Sequence, residues 1–191
     1  MPHIVIISSS IRPDRKSHRV ALYFEQYFAD NELATTEILD LREYNFPIFD
    51  ETLKIQQNPD VKTLEFAEKI DQAHGIIIVT PEYNGGMPAS LKNAIDLLYD
   101  EWRHKPTGIV TVSGGPFAGS QCLVSLQFTL WKMKVWTITE IFSVPNVQDT
   151  YDEKGVPKDK EVTEKRAKVF IKELMWCIKA DTSDLQDKIN N

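Results

Sequence analysis

The sequence has little that would suit a membrane, a disulfide scaffold or a nucleic-acid surface. Only two cysteines, Cys122 and Cys177, occur in 191 residues. They lie far apart with no CxxC pair, so neither a disulfide framework nor a zinc ribbon is indicated. The expectation is two buried thiols in a reducing cytoplasm. Hydrophobic runs are short: Met1-Pro2-His3-Ile4 leads into an apolar stretch too brief for a membrane span or a signal-peptide core. Positive charge is not in excess, since 22 Lys and Arg face 28 Asp and Glu, a net of -6. That argues against broad nucleic-acid binding but leaves room for one local positive pocket. The four histidines (His3, His18, His74, His104) show no ligand spacing, so no metal is expected. The chain also lacks GxxxxGK(S/T), GxGxxG and GxSxG. A P-loop, a whole dinucleotide in a Rossmann groove and a hydrolase elbow are therefore disfavoured.

What is present is alternation. Hydrophobic residues at 42% and charged residues at 26% are ordinary for a globular chain, and the length suits one domain over 1–191. Ile4-Val5-Ile6-Ile7, residues 75–80 and residues 108–113 are apolar runs of the kind buried on both faces of a parallel sheet. Residues 35–41 and 135–141 are weaker strand candidates. Between them lie helical stripes: Val20, Phe24, Tyr27 and Phe28 from about Ser17; Val61, Leu64, Ala67 and Ile70; and Met87, Leu91, Ala94, Ile95 and Leu98 behind Pro88. Further helices are expected over 117–131 and 159–180, the last with Val162, Val169, Phe170, Leu174, Cys177 and Ile178 inward. Residues 44–59 and 143–158 read as long loops. Five βα units predict an α/β fold, a flavodoxin-like three-layer sandwich with a five-stranded parallel sheet of order 2-1-3-4-5. A barrel would need eight units.

Ligands of such a sheet bind beyond the strands' carboxyl ends, where strand order reverses. The unusual loops follow strands one, three and four, as that rule requires. After strand one come Ser8-Ser9-Ser10-Ile11-Arg12-Pro13-Asp14-Arg15-Lys16-Ser17-His18-Arg19, with hydroxyls and cations at a helix N-terminus, a composition suited to a phosphate. The plain alternative is a solvated loop in which Ser17 merely caps the helix. After strand three comes Pro81-Glu82-Tyr83-Asn84-Gly85-Gly86-Met87-Pro88. Its exposed backbone could approach a flat ring, with Tyr83 flanking the ring and Asn84 bonding to it. Ser113-Gly114-Gly115 after strand four would allow approach from the far side. A mononucleotide fits these loops better than a dinucleotide does.

Ser9-Ser10-Ile11-Arg12 resembles the Gly-Ser-x-Arg opening of the NADPH-dependent FMN reductases, which include quinone, azo-dye and chromate reductases. The run from Pro81 through Asp96 closely resembles the signature of that family. The similarity continues through Lys105-Pro106 and Ser113-Gly114-Gly115, about two-thirds of the chain. By that resemblance Ser10, Arg12, Ser17 and His18 would hold the FMN phosphate. Pro81, Glu82, Tyr83, Asn84 and Gly85 would line the isoalloxazine, and Ser113, Gly114 and Gly115 would close its other side. Ser9 stands where the family usually has glycine, and His18-Arg19 where many relatives have an aromatic residue and Asn.

The resemblance implies an NAD(P)H oxidoreductase with FMN as cofactor and NADPH or NADH as donor. It would reduce FMN, quinones or similar small acceptors by ping-pong hydride transfer. The flavin supplies the chemistry, so no catalytic side chain is required. The alternative is a non-enzymatic flavodoxin-like electron carrier or a flavin-binding partner protein. Tyr99, Trp102, Phe117, Phe128, Trp131 and Trp136 are expected mostly in the core, with some anchoring a homodimer or homotetramer.

Overall fold

The computed structural model describes residues 1–181. In chain order the elements are β1 (His3–Ser8), α1 (Ser17–Asp30), β2 (Thr35–Asp40), the single turn α2 (Leu41–Tyr44) and α3 (Val61–Gln72). Then come β3 (Gly75–Pro81), α4 (Ala89–Leu97), a 3-10 turn at Asp100–Trp102 and β4 (Pro106–Val112). The last of the described elements are α5 (Ser120–Lys132), β5 (Trp136–Val144), the single turn α6 (Val147–Thr150) and α7 (Lys160–Asp181). The five strands form one parallel sheet of order β2-β1-β3-β4-β5.

The β-branched runs explain the centre of this sheet. Ile4, Ile6 and Ile77 point to one face, where Val20, Phe24 and Phe28 of α1 and Phe170 and Leu174 of α7 cover them. Val5, Ile7, Ile76 and Ile78 point to the other, under Phe66 and Ile70 of α3, Leu91 and Ile95 of α4, and Leu126 and Leu130 of α5. Side chains alternate along a strand, so a run apolar at every position needs helices on both sides. Both free cysteines are buried, Cys122 in α5 and Cys177 in α7.

Several helix faces differ from expectation. On α3 the buried stripe is Thr63, Phe66, Ala67 and Ile70, while Val61 is 75% exposed and Leu64 also faces outward. A strict three-residue spacing falls about 60° short of a turn at each step, so the series from 61 to 70 rotates off its own face. On α7, Val162 and Val169 share an outward stripe with Trp176. Among the six later aromatics only Trp102 is buried, its indole N–H donating to the Ile95 carbonyl at 3.1 Å. Tyr99, Phe117, Phe128, Trp131 and Trp136 are exposed. β4 starts two residues earlier than expected and β5 runs on to Val144. α5 begins only at Ser120, because Ala118 and Gly119 have φ of 52° and 76°, outside the helical region. The stretch 143–158 is interrupted by α6 and by a bridge between Tyr151 and Pro157.

Candidate functional site

Strand order reverses between β1 and β3, so their carboxyl ends and that of β4 open onto one crevice. A cavity of about 320 Å³ sits there, a size within the range of small-ligand sites. Ser10, Arg12, Ser17, Pro81, Glu82, Tyr83, Ser113 and Gly114 all line it, so the three loops do converge. His18, Asn84, Gly85 and Gly115 do not line it. Asp14, Arg15, Lys16, Val112, Val147 and Gln148 complete the wall.

In the loop after β1 the cations divide into bound and available. Arg15 makes a two-pronged ion pair with Asp40 at the end of β2, and its guanidinium also donates to the Ser10 carbonyl at 3.0 Å. Asp40 accepts in addition from the Arg42 backbone N–H and so caps α2. Arg19 donates to the Tyr151 carbonyl at 2.8 Å. Arg12 and Lys16 remain exposed at the cavity, and neither has a carboxylate partner among the described residues. The Arg12 guanidinium lies 5.7 Å from the centre of the Tyr83 ring.

Ser17 is not the helix cap that sequence suggests. Lys16 holds the N-cap position without a side-chain bond, and Ser17 is the first helical residue. The Ser17 hydroxyl is buried with no hydrogen-bond partner among the described residues, yet the residue lines the cavity. Buried hydroxyls almost always have partners. An unpartnered one beside uncapped backbone N–H groups marks a place for an anion.

His18 turns away from the cavity. Its Nδ1 lies 3.0 Å from the Ser8 hydroxyl and 3.9 Å from Asp40. Burial lowers its pKa below 6.5, the Arg15 charge lowers it further, and Asp40 and Glu43 only partly offset this. His18 is therefore neutral at pH 7 and adds no positive charge to the phosphate end.

The loop after β3 is held by its backbone. Tyr83 and Gly86 exchange two backbone hydrogen bonds, at 2.9 and 3.1 Å. Between them Asn84 and Gly85 have φ of 52° and 78°. Two successive left-handed residues make a tight two-residue turn, for which Asn-Gly is the favoured pair. The turn points Asn84 and Gly85 into solvent and brings Pro81 to Tyr83 against the cavity. The Tyr83 hydroxyl meets the Ser10 hydroxyl at 2.6 Å, joining this loop to the one after β1. Ser90 adds a second tie by donating to the Ser9 carbonyl at 2.6 Å.

The loop after β4 is pinned to the segment after β5. The Ser113 N–H donates to the Val144 carbonyl, and Gln148 donates to the Gly114 carbonyl at 3.0 Å. The Ser113 hydroxyl closes the turn on the Gly115 carbonyl at 2.7 Å. Sequence reasoning missed Asp40, Gln148 and Gly119, and counted Lys16 among the loop's cations without giving it a place in the site. Asp40 and Gln148 act across 25 and 34 residues of chain.

A cavity lined by hydroxyls and cations at an open helix N-terminus, and by Pro81–Tyr83 and Ser113–Gly114, fits a phosphorylated flavin. A sequence model of the NADPH-dependent FMN reductases matches residues 2–149. An NAD(P)H-dependent FMN reductase of Saccharomyces cerevisiae is 34% identical over 143 residues, covering 68% of this chain and 74% of that one. A quinone reductase of Pseudomonas putida is 32% identical over 123 residues, covering 61% and 62%. Among solved structures, a flavoenzyme NAD(P)H:(acceptor) oxidoreductase of Paracoccus denitrificans superposes with a TM-score of 0.77 at 18% identity. It covers 94% of this chain and 98% of its own, a likeness of fold. On the strength of the family match, which spans all three cavity loops, this chain belongs to the NADPH-dependent FMN reductase family.

Proposed function

We propose that this chain is an FMN-dependent NAD(P)H oxidoreductase that reduces FMN, quinones or similar small acceptors. The observation that carries the reading is the buried, unpartnered Ser17 hydroxyl at the open N-terminus of α1, inside the cavity formed by the three loops. The Ser10 and Ser17 hydroxyls, the α1 backbone N–H groups and the Arg12 and Lys16 charges would hold the phosphate. Arg12 would exchange the Tyr83 ring for that phosphate. Pro81, Glu82 and Tyr83 would present backbone groups to the isoalloxazine, with Ser113 and Gly114 opposite. Asn84, Gly85 and Gly115 would shape these walls without touching the ring, and His18 would support Ser8 and Asp40. Bound FMN supplies the two-electron chemistry between nicotinamide and acceptor. The protein's part is to hold the ring, offer backbone donors to developing negative charge and leave one side open.

The curated relatives are named as reductases, so the electron-carrier alternative has no support from them. Donor and acceptor would use the same open side in turn. Steady-state oxidation of NADPH and NADH at varied quinone concentrations tests this, with parallel double-reciprocal lines expected. Intersecting lines would overturn the shared site, and turnover only in the presence of a partner protein would restore the carrier.

A second copy of this chain would cover α5. This helix buries Cys122, Leu126 and Leu130 yet exposes Val124, Phe128 and Trp131 on the opposite stripe. Apolar surface on both sides of a helix calls for a second layer. Phe117, 80% exposed, extends the patch to the loop beside the cavity. A homodimer would thus wall the flavin, and its solution mass should halve in a Phe128→Asp, Trp131→Asp variant. No helix among the described residues is long and apolar enough to cross a membrane. The two buried free thiols support a reducing cytoplasm as the location.

A further inference from the structure

We propose that Glu82 is a positioning residue. From the loop after β3 its carboxylate caps α5, holding residues 113–119 at the distance that a flavin between the two loops requires. One oxygen of Glu82 accepts from the backbone N–H groups of Gln121 at 2.9 Å and Cys122 at 3.0 Å. These are the second and third residues of α5, the positions that a capping side chain normally serves. No local residue can do this. The N-cap is Gly119, which has no side chain, and no acidic residue lies in the first turn. The capping group arrives instead from 39 and 40 residues away. Gly119 also keeps this joint closed: a Cβ there would stand 3.1 Å from Thr111 Cβ and 3.7 Å from Glu82 Cβ.

The arrangement treats two helix N-termini at one end of the sheet in opposite ways. α1 has no capping side chain and keeps its positive end open to the cavity. α5 has its positive end answered by a carboxylate of the same chain. A ligand phosphate entering the crevice would therefore meet the open terminus of α1 and not that of α5. The inference rests on the FMN reading of the cavity for its function, but the cap itself can be measured without FMN.

Cys122 is the reporter. Its backbone N–H is bound by Glu82, its side chain is fully buried, and burial pushes its thiol up to about 11, so it is slow to react in the intact protein. The experiment follows alkylation of Cys122 by peptide mass mapping in the FMN-free protein, then FMN affinity and midpoint potential, for wild type, Glu82→Ala and Glu82→Gln. Loss of a cap predicts Cys122 labelling about tenfold faster and FMN binding about tenfold weaker in Glu82→Ala. Glu82→Gln keeps an accepting oxygen and should stay within about threefold of wild type in both measurements. Its bound FMN should nevertheless shift to a more positive potential, because a negative charge has left the ring's surroundings. Wild-type labelling and affinity in Glu82→Ala would overturn the proposal. So would a Glu82→Gln protein as damaged as Glu82→Ala with no shift in potential. If wild type takes up no FMN, the labelling still decides the cap and only the reading of the cavity falls.

Discussion

The loop after β1 and the loop after β3 enclose the same cavity by opposite means. The first relies on side-chain charge, much of it already committed: Arg15 to Asp40, and Arg19 to the Tyr151 carbonyl. What it keeps for a ligand is a hydroxyl with no partner, two exposed cations and an uncapped helix. The second relies on backbone shape: two left-handed residues in a tight turn, and a carboxylate spent on a neighbouring helix. A basic loop is therefore not simply a sum of cations, nor is a glycine loop loose. Bonds to the rest of the fold determine what each has left for a ligand.

Breaking the committed half of the first loop should have the largest effect. Asp40→Ala leaves the Arg15 guanidinium, a mostly buried group, without its partner. The expected loss is about 3 kcal/mol of unfolding free energy by denaturant titration. Ser17→Ala attacks the uncommitted half and should separate stability from binding. The hydroxyl has no partner among the described residues, so the free protein's stability should hold or rise slightly. FMN affinity should nevertheless fall about tenfold, as when a hydrogen bond to a charged group is lost.

Gly85→Ala tests the backbone half. The space around it is open, the nearest atom to an added Cβ being Gln121 Cβ at 4.0 Å, so the only cost is the left-handed φ of 78°. About 1 kcal/mol of stability should go, with a smaller change in FMN affinity than Ser17→Ala gives. The smallest effect concerns His18. Its folded pKa lies below the unfolded 6.5, so the unfolded chain takes up the proton first. Stability should decline as pH falls from 6.5 toward the folded value, and His18→Gln should remove that part of the slope in thermal melts from pH 7.5 to 5.5.

Strand identity, sheet order and the convergence of the loops after β1, β3 and β4 were all legible in the sequence. They depend on local patterns: β-branched runs, alternation of strand and helix, and Asn-Gly in a tight turn. Residue roles depending on distant partners were not legible. Arg15 counts as a free cation until Asp40 is found beside it, and the Glu82 carboxylate as available to a ligand until the α5 N–H groups are found bonded to it. The Val61 and Leu64 error has a different source, a three-residue spacing that is not quite a helical turn. The outward aromatics of α5 were visible as residues, but hydrophobicity alone does not tell a core face from an exposed one.

FMN in this cavity, with its phosphate at the N-terminus of α1, is the proposal on which the rest depends. The most direct test is a fluorescence titration of FMN with the purified flavin-free protein, alongside riboflavin, which has the same ring and no phosphate. Saturable one-to-one quenching of FMN, with riboflavin at least tenfold weaker, is the predicted result. No quenching of FMN, or equal binding of the two flavins, would contradict it.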